Sequence, residues 1–475
     1  MNTTKMLMSL AALAALSCGC DTMARAKYAQ EQIAPAAEEA AVLADEVPAP
    51  VRRISLAGYS LPDFVEFAYT NRPDVIKAFL AVSNAYLAVK SVKADGPLVP
   101  QISASGGYKR GTQNRGVHFS DHMDGDPWGS LDVDILICDF GRNAAQERAA
   151  REDLLAAGQA YREARLSVFS EVSRAYFTLL MNDALLEAAY TNQYQYARHL
   201  EQTEELLRNQ EAKKLDVLRA RLDLSNARHK MIAASNDVVT AEMDFLKALG
   251  LTSAISSRAE VLPQASNCLA LVRQELEVSS LGAADGLLRA RYGSPALLAG
   301  RARVRGASAE LDYRIADLLP ELTLGTTVSF AEKVWNWSWG STVLQSIFTG
   351  YRKTTAVDVA VVALASAQAS YEAQEQSLAR DIGVALATRD TAREQLAAAR
   401  VSVVQAKENL DTANGQLLEG DISRIDFSDA VTAYAEALGA RVKAFYAGQM
   451  AEAEIVRLVG AMPVYLHEDV RADGK

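Results

Sequence analysis

Between Pro320 and Pro463 the chain places Leu396, Val403, Leu410 and Leu417 seven residues apart, with Ala399, Ala406 and Ala413 interleaved at the complementary position. That is the seam of a helix packed lengthwise on another helix, and alanine at alternate seam positions lets the backbones approach closely. Leu154, Tyr161, Val168 and Ala175 repeat the period more weakly in an earlier stretch. No proline falls between Pro127 and Pro263 or between Pro320 and Pro463, and both stretches are rich in Ala, Leu, Glu, Gln and Arg, so long unbroken helices are predicted. One from about Arg142 to Arg208 would run roughly 100 Å. An ordinary globular core does not hold such a helix, although a simple coiled-coil rod would carry the same stripe.

Other segments alternate with period two, the mark of strands with two unlike faces. Leu322, Leu324, Val328 and Phe330 fall opposite Thr323, Gly325, Thr327 and Ser329, and Trp335, Trp337, Trp339 and Val343 fall opposite Asn336, Ser338, Gly340 and Thr342. Earlier, Ile102, Ala104 and Tyr108 oppose Ser103, Ser105 and Lys109, and Leu131, Val133 and Ile135 oppose Asp132 and Asp134. Strands of about ten residues, apolar outward and polar inward with Trp and Tyr near the interfaces, characterise membrane barrels. A soluble sheet on a helix would also alternate, but Asp132 and Asp134 on one face suit a water-filled lumen better than a dry core. Four such strands cannot close a barrel, and open edges are not tolerated in hydrocarbon. The chain is therefore expected to oligomerise, three copies giving about twelve strands.

The elements come in duplicate. Arg72-Pro73 recurs as Ser294-Pro295, Pro100 as Pro320, Phe140-Gly141-Arg142 within Phe348 to Arg352, Leu215-Asp216 as Ile425-Asp426 and Leu249-Gly250 as Val459-Gly460, always in the same order. Each half is predicted to run helix, two strands, a very long helix, a break and a medium helix.

Composition narrows the function. With 49% apolar and 23% charged residues in 475, the chain is expected to fold. A net charge of −10 without a basic cluster argues against nucleic acid. Five histidines in so long a chain leave little for a metal or catalytic centre, and no cofactor is expected. His118 and His122 lie in the polar stretch Gly111 to Pro127 and read as solvated loop residues. Cys138 and Cys268 are far apart, with no zinc or disulfide spacing. Lys5 and the apolar run Met6 to Leu16 read as an export signal, and no second apolar run long enough to span a bilayer is anticipated. Ser17-Cys18 and Gly19-Cys20 each place a small residue before a cysteine, as lipoprotein processing requires. Cys18 has the better-spaced apolar residues before it, and Asp21 directly after Cys20 also tips the choice to Cys18; cleavage after Ala24-Arg25-Ala26 without lipid is the alternative.

Arg72-Pro73-Asp74, the proline-then-strand segments at Pro100 and Pro320, Phe140-Gly141-Arg142, and above all Gly420-Asp421-Ile422-Ser423-Arg424-Ile425-Asp426-Phe427-Ser428-Asp429-Ala430, in duplicated order, resemble the TolC-like family of outer-membrane factors, which includes the lipoprotein channels of multidrug pumps. The resemblance covers nearly the whole mature chain. It implies a mainly α protein with membrane β: a long α-helical coiled-coil barrel plus four strands per protomer in a trimeric twelve-stranded barrel, with internal duplication. It also implies a passive exit duct in a Gram-negative outer membrane, reaching into the periplasm, that is not an enzyme. The expected partners are two further copies, a periplasmic adaptor, an inner-membrane RND, ABC or MFS pump, and outer-membrane lipid. The implied organisation is a signal with lipobox over 1–20, an N-terminal segment over 21–60, a first repeat over 61–250 with strands near 101–110 and 128–137 and a tip near 209–215, an equatorial connector over 251–285, a second repeat over 286–460 with strands near 321–330 and 335–345 and a tip near 418–424, and a tail over 461–475.

By the same resemblance, Asp426 and Asp429, three apart on one helical face, would form rings at the periplasmic entrance, with Asp216 at the matching place in the first repeat and Gly420 and Ser423 in the tip turn. Such rings would tolerate cations and make conductance sensitive to divalent or trivalent ions. The same aspartates could instead be helix-start charges that favour the macrodipole. Leu417 and Ile422 stand where a polar gate network is expected in the family. A periplasmic adaptor would also have long hairpins, but one hairpin beside a β-rich domain in place of two hairpins and two strand pairs; a hydrolase would need a nucleophile motif or paired acids.

Overall fold

The computed structural model describes residues 60–109, 126–210, 213–251, 283–331, 334–345, 350–419 and 424–461, all of which fall in one of the two units into which the chain divides. Cys18, Cys20, His118, His122, Gly420 and Ser423 lie outside the described residues, as do the side chains of Tyr108, Lys109 and Leu417.

In chain order the elements are α1 (Leu61–Asn71), α2 (Pro73–Ala94), β1 (Pro100–Lys109), β2 (Asp126–Cys138), α3 (Arg142–Arg208), α4 (Lys214–Ala248), α5 (Ala283–Gly293), α6 (Pro295–Ala316), β3 (Glu321–Ala331), β4 (Val334–Leu344), α7 (Arg352–Glu419) and α8 (Arg424–Val459). Each repeat thus opens with two short helices where the residue pattern predicts one. The break has a covalent cause. A residue before proline is pushed out of the helical region, and Arg72 and Ser294 sit at ψ 125 and ψ 120 before Pro73 and Pro295. At the start of α1 the Ser60 N–H donates to Asp63 Oδ2 at 2.7 Å, closing a capping box.

The medium helices end alike. Gly250 and Gly460 take φ of 77 and 74, as the residue just past a helix does, and Leu251 N donates back to Leu246 O at 3.0 Å. The turns into the long helices also match, with positive φ at Phe140 and Gly141 and again at Gly350 and Tyr351. The duplication is thus written into the backbone.

The four strands form one antiparallel sheet in the order β1-β2-β3-β4. Directly paired residues share a face, so the register sorts the side chains. Ile102 pairs with Val133, Val133 with Thr326 and Thr326 with Trp339; Ala104, Leu131, Val328 and Trp337 form the next row, and Phe330 with Trp335 the one beyond. These rows make one apolar face. Ser103, Asp132, Thr327 and Ser338 form a row on the other. A bulge between Leu136 and Cys138 bends β2 where the sheet meets the helices.

Around α3 pack α2, α4, α6 and α8, and α7 packs on α8 and α6. In the first repeat Phe64 meets Phe245 edge-on at 5.1 Å and Tyr176 at 6.1 Å; in the second, Ala290, Ile382, Leu386 and Ile455 form the corresponding core. Helix α2 departs from expectation, being long and apolar enough to cross a membrane by length and composition. Asp74, Lys77 and Lys90 break up its apolar run in the sequence. It lies against α3 with Phe79, Leu80 and Leu87 exposed.

Candidate functional site

Three regions carry the chemistry: the sheet, its junction with the long helices, and the far helical ends. On the polar face of the sheet Asp132 is held by hydroxyls, with Thr327 donating to Oδ1 at 2.7 Å and Ser130 to Oδ2 at 2.9 Å, while Ser105 and Ser130 share a hydrogen bond of 2.8 Å. Asp134 lies over Gly325, where an added Cβ would come 2.9 Å from its Oδ1. Both acids therefore stand on the face away from the tryptophans. On the apolar face Trp335, Trp337 and Trp339 are 62, 71 and 73% exposed, an arrangement that costs heavily in water and is natural in lipid. Leu322, Leu324, Val328 and Phe330 share that face and are half-buried.

At the junction a single carboxylate ties both long helices to the end of α6. Arg142, the first residue of α3, reaches Glu321 at 2.5 Å and Asp317 at 3.4 Å, and Lys353 at the start of α7 reaches Asp317 at 3.3 Å. Asp139 caps α3, accepting from Asn143 N at 2.6 Å and Gly141 N at 3.1 Å.

At the far ends, Tyr196, Ala227, Ala413, Phe427, Ala430 and Val431 make a small core. Tyr196 Oη bonds Thr432 Oγ1 at 2.8 Å and donates to Ser428 O at 3.1 Å, fixing α8 on α3. Asp426 and Asp429 are both exposed on the first turns of α8. Asp216 sits on the first turn of α4, where its carboxylate accepts the Lys213 N–H at 3.1 Å. A further acid joins them: burial raises the Asp223 pKa, and the Asp429 charge raises it further. The sequence held a signal for it, since Asp223 lies two helical turns from Asp216 on the same side of α4. No group of His, Cys, Asp and Glu able to hold a metal occurs among the described residues.

A sheet with one greasy exposed face, one acid-and-hydroxyl face and two very long helices defines a class, the duct proteins that cross a membrane as a shared barrel. The chain belongs to the outer membrane efflux protein family, whose model matches residues 65–251 and 287–461. It is 26% identical over 393 residues to the outer membrane protein OprJ of Pseudomonas aeruginosa, covering 77% of this chain and 76% of that one. To the cation efflux system protein CusC of Escherichia coli it is 22% identical over 377 residues, covering 76% of this chain and 78% of that one. The solved structure of CusC shares the fold with a TM-score of 0.71 at 19% identity, covering 88% of this chain and 95% of that chain. VceC of Vibrio cholerae does so with a TM-score of 0.69 at 17% identity, covering 84% and 96%. The protein is an outer-membrane efflux channel extending into the periplasm, a passive duct and not an enzyme.

Proposed function

We propose that three copies of this chain close their sheets into one barrel, that the apolar rows from Leu322 to Trp339 face lipid while Asp132 and Asp134 line the lumen, and that Asp426, Asp429 and Asp216 ring the periplasmic entrance. One observation carries this reading: among the described residues the sheet leaves both edges, β1 and β4, unpaired while its tryptophan face stands exposed. Hydrocarbon admits such a sheet only when neighbours satisfy its edges. Exposed Phe79, Leu80, Val359 and Val362 on the helices give the copies apolar surface to bury. The duct then takes substrate from an inner-membrane pump through a periplasmic adaptor, passing it by position and electrostatics alone. Lipid on Cys18 or Cys20 would fasten each copy, as the name of a relative, a probable outer membrane lipoprotein SilC of Salmonella typhimurium, supports.

Single-channel recording in planar bilayers tests the entrance, with Asp426→Ala and Asp429→Ala expected to raise the divalent-cation concentration that blocks current. Unchanged conductance and unchanged block would refute the assignment. Native mass spectrometry tests assembly: a detergent-solubilised particle of one chain overturns the shared barrel. The mass of the mature N-terminus decides the lipid, and a chain beginning after Ala26 without acyl groups removes it.

A further inference from the structure

The duplication sets two open grooves in equivalent places, and among the described residues only one of them receives an arginine from the break between the two helices that open its repeat. Between α3 and α4 lies a cavity of about 430 Å³ bordered by Glu171, Thr178, Asp244 and Lys247. Between α7 and α8 lies one of about 550 Å³ bordered by Asp381, Thr388, Glu454 and Arg457. The spacing that relates Arg142 to Arg352 relates each residue of the first set to its counterpart in the second, in order. Arg174 borders both. Apart from Arg72, each groove therefore presents two acids and two bases.

The first groove, though still open, receives a cation from the chain itself. Arg72, at the break between α1 and α2, inserts its guanidinium there, bonding Glu171 and, at 2.8 Å, Asp74, and its side chain is only 14% exposed. The counterpart of Arg72 is Ser294, which is buried and far too short to enter the second groove. Among the described residues Asp381, the counterpart of Glu171, is left with Arg380, its own chain neighbour, at 2.6 Å and with Ser377 at 3.3 Å; Arg380 is 74% exposed. Pairs this exposed contribute little. Glu454 is by contrast held inside the chain, accepting from Ser170 at 2.7 Å and Arg457 at 2.6 Å. The wall also gains apolar surface, with Val384 at the position that answers to Arg174 in the first repeat and Met450 at the one that answers to Thr240.

We propose that the groove between α7 and α8 binds an alkylguanidinium group from outside the chain, with the cation on Asp381 and the alkyl stem along Val384 and Met450. The first groove displays the mode of binding with the protein's own arginine as ligand. One grip is lost, since Asp74 answers to Ala296, so the free group binds weakly, with a Kd on the order of millimolar. The same group is presented by a small guanidinium compound or by an arginine side chain of a polypeptide.

The test is saturation-transfer NMR on the detergent-solubilised full-length protein with butylguanidinium as probe and tetramethylammonium as control. Saturable binding of butylguanidinium with no response to tetramethylammonium is expected. Asp381→Asn should weaken it at least tenfold, and Ser294→Arg, which copies Arg72 into the second repeat, should abolish it. A blocked arginine peptide that binds more tightly than butylguanidinium assigns the group to a polypeptide, and one that binds more weakly assigns it to a small molecule. Absence of saturable binding, or binding untouched by Asp381→Asn, overturns the proposal. Asp381 is partly exposed at the groove, so its variant keeps the test alive if Ser294→Arg fails to fold.

Discussion

Trp339 and Ser338 are chain neighbours on β4 with opposite orientations, so the same substitution at each separates the two faces of the sheet. Trp339 is 73% exposed in a single chain and pairs with Thr326 in the middle of its strand. A tryptophan offers about 150–250 Å² of surface, so at ~25 cal/mol per Å² the exposed share moved from water to lipid is worth about 3–5 kcal/mol. A lysine near the bilayer midplane adds a cost of about 2–4 kcal/mol. Trp339→Lys should then lose about 5–9 kcal/mol of insertion free energy per copy, whereas Ser338→Lys, on the face proposed to line the lumen, should cost little. The assay is refolding from urea into liposomes, followed by protease protection and by gel mobility without heating. Trp339→Lys should stay uninserted while Ser338→Lys inserts with altered ion selectivity. Equal insertion of the two variants, or failure of Ser338→Lys alone, would refute the assignment of faces.

Three further outcomes follow from the helical region. A Cβ at Gly460 would strike the Gly293 carbonyl, one at Gly250 would come 3.2 Å from Arg72 Cγ, and one at Gly141 would meet nothing within 4 Å. Adding overpacking to the cost of left-handed backbone, Gly460→Ala should lose about 2–4 kcal/mol and Gly141→Ala about 1–2, read as local hydrogen-exchange protection; equal losses would contradict this. Asp317→Ala should remove the carboxylate that Arg142 and Lys353 share while leaving Arg142 on Glu321 and Lys353 on the residue 317 carbonyl, costing about 1 kcal/mol once partial exposure is allowed for and appearing as faster exchange at the starts of both α3 and α7. Because the folded Asp223 pKa lies above the ordinary carboxylate value, the folded state binds protons more readily than the unfolded one. Stability at the α4 and α8 ends should therefore rise as pH falls through the folded pKa, and Asp223→Asn should flatten that dependence, which a pH series of exchange rates would show.

What the sequence disclosed and what it withheld divide by range. The long helices were legible because their apolar positions recur over many turns, and the strands because Trp335, Trp337 and Trp339 alternate so plainly with polar residues. Helices α1 and α5 span only 11 residues each, too short for a heptad to show, although Ser60 and Asp63 carry a capping signature that marks where α1 begins. Arg72 with Glu171, and Arg142 with Asp317, join residues far apart in the chain whose types are ordinary singly. No periodicity predicts such pairs, since they arise from the angle at which the packed helices cross. Asp223 was within reach, because its spacing from Asp216 is local.

The two repeats share a backbone but not a core, and one difference forces another. Phe64, Tyr176 and Phe245 hold α1 away from α3 and α4 by the thickness of aromatic rings. Their counterparts are Gly286, Leu386 and Ile455, which fill less space, and cores do not tolerate the void that rigid spacing would leave. The second repeat closes it by bringing α5 onto the end of α8, so near that a Cβ at Gly293 would come 2.7 Å from the Val459 carbonyl. In the first repeat the corresponding residue is Asn71, and the helix end stands far enough off to accommodate it. Glycine at 293 is thus a consequence of the smaller core, and so is the tighter contact at Gly460. The wider stance of the first repeat suits an arginine at the break, whereas the closer stance of the second leaves only a short side chain there, Ser294, and with it a groove that receives no cation from that break.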